Sequence, residues 1–322
     1  MSLTVLHSPE EWVARFGAAG RTVLSVGNFD GLHLGHLKIL QSVVARARST
    51  AQLSLVVTFD PHPLRVLRPE HAPPMIQTLA QRLAGFDSMG IDAAVVLRFD
   101  RALSLVSAED FIQRILFEKL RVGTILVGAN FRFGNRGVGD VRLLDTFGKS
   151  LGFDVEIVPP VEIRSQVVSS TAIRNAIASG NVADAIALLG RPFSLTGEIH
   201  PGAGRGRTIL FPTLNLVPEQ ELMPKLGVYA TECIVGGNTY PSVTNVGTRP
   251  TFDGQGVTIE SHLFGFDQQL MNGPMEVRFH SRIRDEQKFS GPEALRAQIA
   301  RDIDTAQKYF AERGVPEHSP RG

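Results

Sequence analysis

One cysteine, Cys233, stands in a chain of 322 residues. A single thiol excludes an intramolecular disulfide framework and any metal cage built from several thiolates. It lies in the apolar, strand-like run from Ala230 to Val235, where a free cysteine is expected in the core. An excess of either charge is also lacking: 33 Lys and Arg face 32 Asp and Glu, for a net charge of +1 and no basic tail. That balance gives no reason to expect a nucleic-acid partner, and it is compatible with a local site for an anionic ligand. No apolar run approaches the length of a membrane span, and the first residues lack the basic-then-apolar pattern of a secretory signal. The expected address is the cytoplasm. The 43% of hydrophobic residues suffices for packed cores, and the length suits two domains of ordinary size.

Two halves of the chain follow different patterns. From Arg21 to about Gly190, short β-branched runs (Thr22 to Val26, Leu53 to Phe59, Ala93 to Phe99, Thr124 to Val127, Val155 to Val158) alternate with amphipathic stretches. In one of these, Ser107 to Leu120, Phe111, Ile115 and Leu116 recur at helical spacing and Ser107 is a suitable N-cap. This alternation predicts an α/β doubly wound parallel sheet with helices on both faces. Asn181 to Leu189 reads as a helix closed by Gly190, with Pro192 just beyond. The pattern then changes to extended segments separated by Gly, Pro and Asn turns. Gly236-Gly237-Asn238 reads as a hairpin turn, and Met275, Val277, Phe279 and Ile283 share one strand face. This half predicts a small antiparallel β-barrel of six-stranded type, closed by a helix along the stripe Leu295, Ile299, Ile303, Ala306 and Phe310. The domains are accordingly placed at 1–188 and 189–322, and the tail from Gly314 is expected to fray.

The first strand runs into Gly27-Asn28-Phe29-Asp30-Gly31-Leu32-His33-Leu34-Gly35-His36 and then a helix. Glycines at a strand-to-helix turn let backbone N–H groups approach a phosphate, and the helix N-terminus adds positive potential. His33 and His36 can both donate to phosphate oxygens there. Read by itself the pair is equally compatible with two surface histidines in a turn. A zinc site lacks a Cys or acidic ligand at useful spacing, Asp30 aside. Val168-Ser169-Ser170-Thr171-Ala172-Ile173-Arg174 opens a second helix, where Ser170 or Thr171 can cap and Arg174 stands one turn in. Thr58-Phe59-Asp60-Pro61-His62-Pro63 and Val127-Gly128-Ala129-Asn130-Phe131-Arg132-Phe133-Gly134 follow two further strands, at the ends where open α/β sheets bind ligands.

Together these segments resemble the nucleotidyltransferase family that carries His-x-Gly-His and Ser-Ser-Thr-x-x-Arg signatures. More narrowly, they resemble the FMN adenylyltransferase module of prokaryotic bifunctional riboflavin kinase/FAD synthetases. The resemblance covers about residues 14 to 187. It implies that His33, His36, Ser170, Thr171 and Arg174 handle the phosphates of ATP, with Gly27, Phe29, Asp30, Gly35 and Asn130 completing the ATP surface. Phe59, Pro61 and His62 would help hold the flavin.

In the second half, Gly197 to Leu216 contains a Gly/Arg-rich loop able to wrap polyphosphate, with Gly204 and Arg207 in it. It is not a Walker loop. Thr213 and Asn215 alternate on one strand face, so both oxygens can reach one Mg²⁺. Glu260 is an acid in an apolar, β-prone run (Val257 to Phe264); a strand Glu of this kind commonly faces water, and one facing a nucleotide can accept a hydroxyl proton. With Asn245 to Phe252 and Ile283 to Phe289, these segments resemble the riboflavin kinase module from about Phe193 to Phe310. That resemblance implies Thr213 and Asn215 on Mg-ATP, Glu260 as general base for the riboflavin 5′-hydroxyl, and Asn245 and Arg278 on the flavin.

The implied protein is a bifunctional enzyme that makes FMN and then FAD, with ATP, Mg²⁺ and flavins as its small-molecule partners. A monomer or weak homo-oligomer is expected, without a nucleic-acid or membrane partner. Leu210 stands where the family usually has Gly, Leu214 where it has a small residue, and Asn272-Gly273 where Tyr-Gly is common. These departures motivate an alternative in which only the adenylyltransferase acts and the barrel binds flavin or regulates.

Overall fold

The computed structural model describes residues 2–17, 20–200, 212–251, 254–267 and 270–314. Its contacts divide the chain into two compact units, 1–170 and 171–322.

In the first unit, β1 (Thr4–Leu6), β2 (Thr22–Val26), β3 (Leu53–Asp60), β4 (Ala93–Arg98), β5 (Val122–Gly128) and β6 (Asp154–Val158) form one sheet in the order β1-β4-β3-β2-β5-β6. Every pair in it is parallel. The central strands β2, β3, β4 and β5 are buried on both faces, and their two-residue period sorts them into two cores. Leu24, Leu55, Val57, Val95 and Ile125 enter one core, while their neighbours Val23, Val56, Ala94 and Leu126 enter the other. Helices α1 (Pro9–Phe16), α2 (Leu34–Ser49), α3 (Pro63–Leu67), α4 (Leu79–Ser88), α5 (Arg101–Ser104), α6 (Ala108–Asp110) and α7 (Val141–Leu151) occur among these strands. The order reverses between β2 and β5, and a ligand crevice is expected at the C-terminal ends of strands at such a switch point.

The strand ranges agree with the periodicity within a residue or two, but β1, three residues long, carries no readable period. The expected helix from Ser107 is present with Ser107 as its cap, and its winding differs. After α6 the stretch 111–119 is π-helical, and the Leu120 N–H reaches back five residues to the Ile115 carbonyl at 2.9 Å. The winding buries Phe111, Ile112 and Leu116, and Ile115 packs half-buried against the same core, as its spacing predicts.

A short hairpin, β7 (Glu162–Ile163) and β8 (Gln166–Val167), precedes α8 (Ser170–Ser179) and α9 (Val182–Leu189). Asn181 caps α9, and Gly190 ends it in the left-handed region at φ 75°. The second unit is a closed barrel in the order β10-β13-β12-β11-β14-β9. Its strands are β9 (Phe193–His200), β10 (Leu214–Pro218), β11 (Gly227–Val235), β12 (Asn238–Thr251), β13 (Gly254–Leu263) and β14 (Pro274–Arg284). Gly236 and Gly237, at φ 57° and 81°, make the two-residue turn between β11 and β12. Cys233 is fully buried there, its thiol pushed up to about 11 by burial. It ends a chain of interior hydroxyls through Ser242, Thr231, Thr244 and Ser261, with heavy-atom distances of 2.6–3.2 Å. Helix α10 (Pro292–Ala311) lies against the barrel through Ala306 and Phe310, and the largely buried Asp302 on it accepts two hydrogen bonds from the Arg284 guanidinium of β14, Nε at 2.9 Å and Nη2 at 2.7 Å.

Candidate active sites

The turn after β2 is held in an unusual backbone shape. Phe29, Gly31 and Leu32 all have positive φ (51°, 88° and 39°), and burial of Phe29 and Leu32 fixes it. At Gly31 a side chain would also meet Ile76 at 3.0 Å. Asp30 is buried, and its carboxylate accepts from the backbone N–H groups of Ile76 and Gln77 at 3.1 Å. Its carboxylate therefore braces the turn from below.

His33 is the N-cap of α2, its Nδ1 accepting the His36 N–H at 3.2 Å. With Nδ1 an acceptor, its proton lies on Nε2, which leaves that nitrogen a donor. The two imidazoles stack at 3.6 Å between centroids and 16° between planes, and Phe29 meets His36 edge-on at 5.3 Å. Gly35 keeps this pair uncrowded, since a Cβ there would sit 3.2 Å from the His33 ring. His36 Nδ1 is enclosed without a hydrogen-bond partner among the described residues. Burial, and then the neighbouring His33, hold its pKa well below the ordinary histidine value. The first turn of α2 has no acidic residue to occupy its free N–H groups. Ser170 joins the same turn, its hydroxyl donating to the Asp30 carbonyl at 2.8 Å. A phosphate at this turn would favour protonated His36. ATP binding there is thus expected to take up a proton and to tighten as pH falls below the ordinary histidine range. Calorimetry in buffers of different ionisation enthalpy checks this: the uptake should be absent in His36→Asn.

Thr171 and Arg174 lie on α8, the first exposed and the second half-buried one turn beyond Ser170. Asn130 is exposed just past β5. Phe59, Pro61 and His62 are half-buried at the end of β3, with His62 Nδ1 capping α3 by accepting the Leu64 N–H at 3.2 Å. His62 Nε2 then carries the proton and lies 3.3 Å from the Asn28 amide. An Asn28 amide with its oxygen turned to His62 completes that bond and satisfies the otherwise orphaned Oδ1. Asn28 so links the two segments of the site, a role its sequence context does not reveal.

In the barrel, strand register assembles the second site. Asn215 pairs with Glu260 across β10 and β13, and Glu260 pairs with Asn245 across β13 and β12. Their strand neighbours Leu214, Leu216, Ile259, Ser261, Thr244 and Val246 are buried, so Asn215, Glu260 and Asn245 form one row on the opposite, outer face. His200 extends the row beyond Asn215. Thr213 is exposed just before β10, where the Pro212 carbonyl lies 2.9 Å from His262 Nδ1. A Cβ on Gly247 would come within 2.9 Å of Glu286 Oε1 and 3.0 Å of Asn245 Nδ2, so Glu286 borders the row as well. Arg278 is not in it: the guanidinium pairs with Glu276 on the same strand, at 3.0 Å from Nε. Leu214 turns its side chain inward, away from the row. Gly204, Arg207 and Leu210 lie outside the described residues.

A six-stranded parallel sheet with a histidine-bearing strand-to-helix turn, followed by a closed six-stranded barrel with a polar Asn-Glu-Asn row, is the frame of a two-module transferase, as the matching families show. Residues 17–172 match the FAD synthetase family and residues 189–310 match the riboflavin kinase family. The chain is 38% identical over 289 residues to the bifunctional riboflavin kinase/FMN adenylyltransferase of Escherichia coli K12, covering 89% of this chain and 92% of that protein. It is 38% identical over 290 residues to the Pseudomonas fluorescens protein of the same name, covering 90% and 93%. The chain belongs to the bifunctional riboflavin kinase/FMN adenylyltransferase family. A solved structure named as a macrolide-efflux protein from Streptococcus pneumoniae is also similar, with 29% identity and a TM-score of 0.86 over 95% of this chain and 99% of that one. No helix among the described residues is long and apolar enough to cross a membrane.

Proposed function

We propose that the modules 1–188 and 189–322 carry out successive steps, the second module making FMN and the first converting it to FAD. In the first step the riboflavin 5′-hydroxyl oxygen attacks the γ-phosphorus of ATP. Its proton passes to the Glu260 carboxylate, and the bond to the bridging oxygen breaks to release ADP. Asn245 orients the flavin side, and Thr213 and Asn215 face the nucleotide. Their hydroxyl and amide oxygens suit a hard cation, so they would hold the Mg²⁺ that comes with ATP and offsets phosphate charge. In the second step an FMN phosphate oxygen attacks the α-phosphorus of a second ATP, and pyrophosphate leaves. No covalent intermediate with the protein is needed. His33 and His36 donate to phosphate oxygens where charge builds, assisted by the α2 N-terminus, Ser170, Thr171 and Arg174.

The observation that carries this reading is the convergence of His33, His36 and Ser170 on one strand-to-helix turn at the sheet's switch point. It extends to a cytoplasmic address, where ATP is supplied. Incubation with riboflavin, ATP and Mg²⁺, followed by chromatography, tests it. Transient FMN giving way to FAD, with ADP and pyrophosphate in step, is the expected course. FAD from supplied FMN but no product from riboflavin would limit the barrel to binding or regulation.

A further inference from the structure

Helix α4 carries an arginine on its apolar stripe, between Leu79, Leu83 and Phe86. Arg82 is 2% exposed, and its guanidinium is directed at main chain. Nη1 donates to the Asn28 carbonyl at 2.8 Å, to Thr58 Oγ1 at 3.1 Å and towards the Phe59 carbonyl at 3.5 Å. Nη2 lies 3.9 Å from Asp60 Oδ1, and Nε has no hydrogen-bond partner among the described residues. Asn28 opens the histidine turn, and Thr58 to Asp60 lead into the segment that holds Pro61 and His62. One rigid planar group therefore spans the ends of β2 and β3, the two segments assigned to opposite substrates.

The start of α4 is itself fixed for this task. Thr78 and Gln81 form a reciprocal capping box, and the preceding Ile76 and Gln77 amides bind the Asp30 carboxylate. Asp30 thus reaches down from the turn while Arg82 reaches up to it. Gly85, one turn on, packs so closely that a Cβ there would collide with Leu32. A buried arginine gains nothing here that an apolar residue would not supply, unless the alignment it imposes matters.

We propose that Arg82 is a positioning residue for adenylyl transfer, setting the register between the phosphate turn and the flavin segment. This rests on assigning that reaction to the sheet module. Each segment keeps its own substrate contacts without Arg82, so the loss falls on the relative placement of the two reactants, and misplacement by about 1 Å can cost on the order of 100-fold.

The test is steady-state kinetics of FAD formation from FMN and ATP on the full chain, with FMN formation from riboflavin as an internal control. Arg82→Met is expected to lower kcat by about 30- to 100-fold, with KM for ATP and FMN within about threefold and the kinase rate unchanged. Arg82→Lys keeps the charge and one or two of the bonds, so kcat should recover to within about 10-fold of the parent; it also carries the test if the Met variant does not fold. An unchanged kcat in both variants would overturn the proposal, as would KM rising in step with the loss of kcat. A parent chain that makes no FAD from FMN would instead overturn the assignment of the reaction itself.

Discussion

His36→Ala is expected to cut FAD formation from FMN by about 10²- to 10³-fold while FMN formation from riboflavin stays within about twofold. The size follows from what the ring does. Its Nδ1 is enclosed, its pKa is held low by burial, and it stacks on a histidine whose Nδ1 is already committed to capping α2. Such a group has been desolvated in advance and regains its lost interactions when a negative charge arrives. It acts on phosphate charge in bound ATP and more strongly in the transition state of adenylyl transfer, so the loss should be read in kcat/KM. Fold damage is expected to be slight, because the backbone N–H of residue 36 still caps onto His33. Parallel assays of both products on one preparation check the outcome.

Glu260→Gln is expected to do the converse, lowering FMN formation by about 10²- to 10⁴-fold and leaving FAD formation from supplied FMN intact. Glutamine preserves the shape of the row between Asn215 and Asn245 but cannot accept the hydroxyl proton. The variant therefore separates proton transfer from packing and binding. Riboflavin should still bind, and titration of flavin fluorescence should show it with near-parent affinity. A fall in FMN formation below about fivefold would remove Glu260 from the role of base.

Much of this was legible in the chain because the signals were local. The Gly190 cap, the Gly236-Gly237 turn and the alternation along β14 are each decided by a few neighbouring residues. What was not legible depends on partners far away in sequence. Asp30 sits in the turn after β2, where the resemblance makes it an ATP contact, and its carboxylate accepts from amides 46 and 47 residues on. The kinase resemblance puts Arg278 on the flavin, while its guanidinium pairs with Glu276 on the same strand, away from the Asn-Glu-Asn row. That row was present as three separately notable residues, but only the pairing of β10 and β12 on either side of β13 sets them side by side. Arg82 left one trace, a cation on an apolar stripe, and such a trace names no partner. The π-helical winding after Ser107 left none, since the spacing of its apolar residues satisfies an α-helix equally well.

Two separate sites acting in series on one chain should complement each other when the single-site variants are mixed. His36→Ala and Glu260→Gln, incubated together with riboflavin, ATP and Mg²⁺, should form FAD after a lag in which free FMN accumulates, although neither variant alone makes appreciable FAD from riboflavin. A mixture that accumulates FMN yet makes no FAD, or two variants that each lose both activities, would contradict the account.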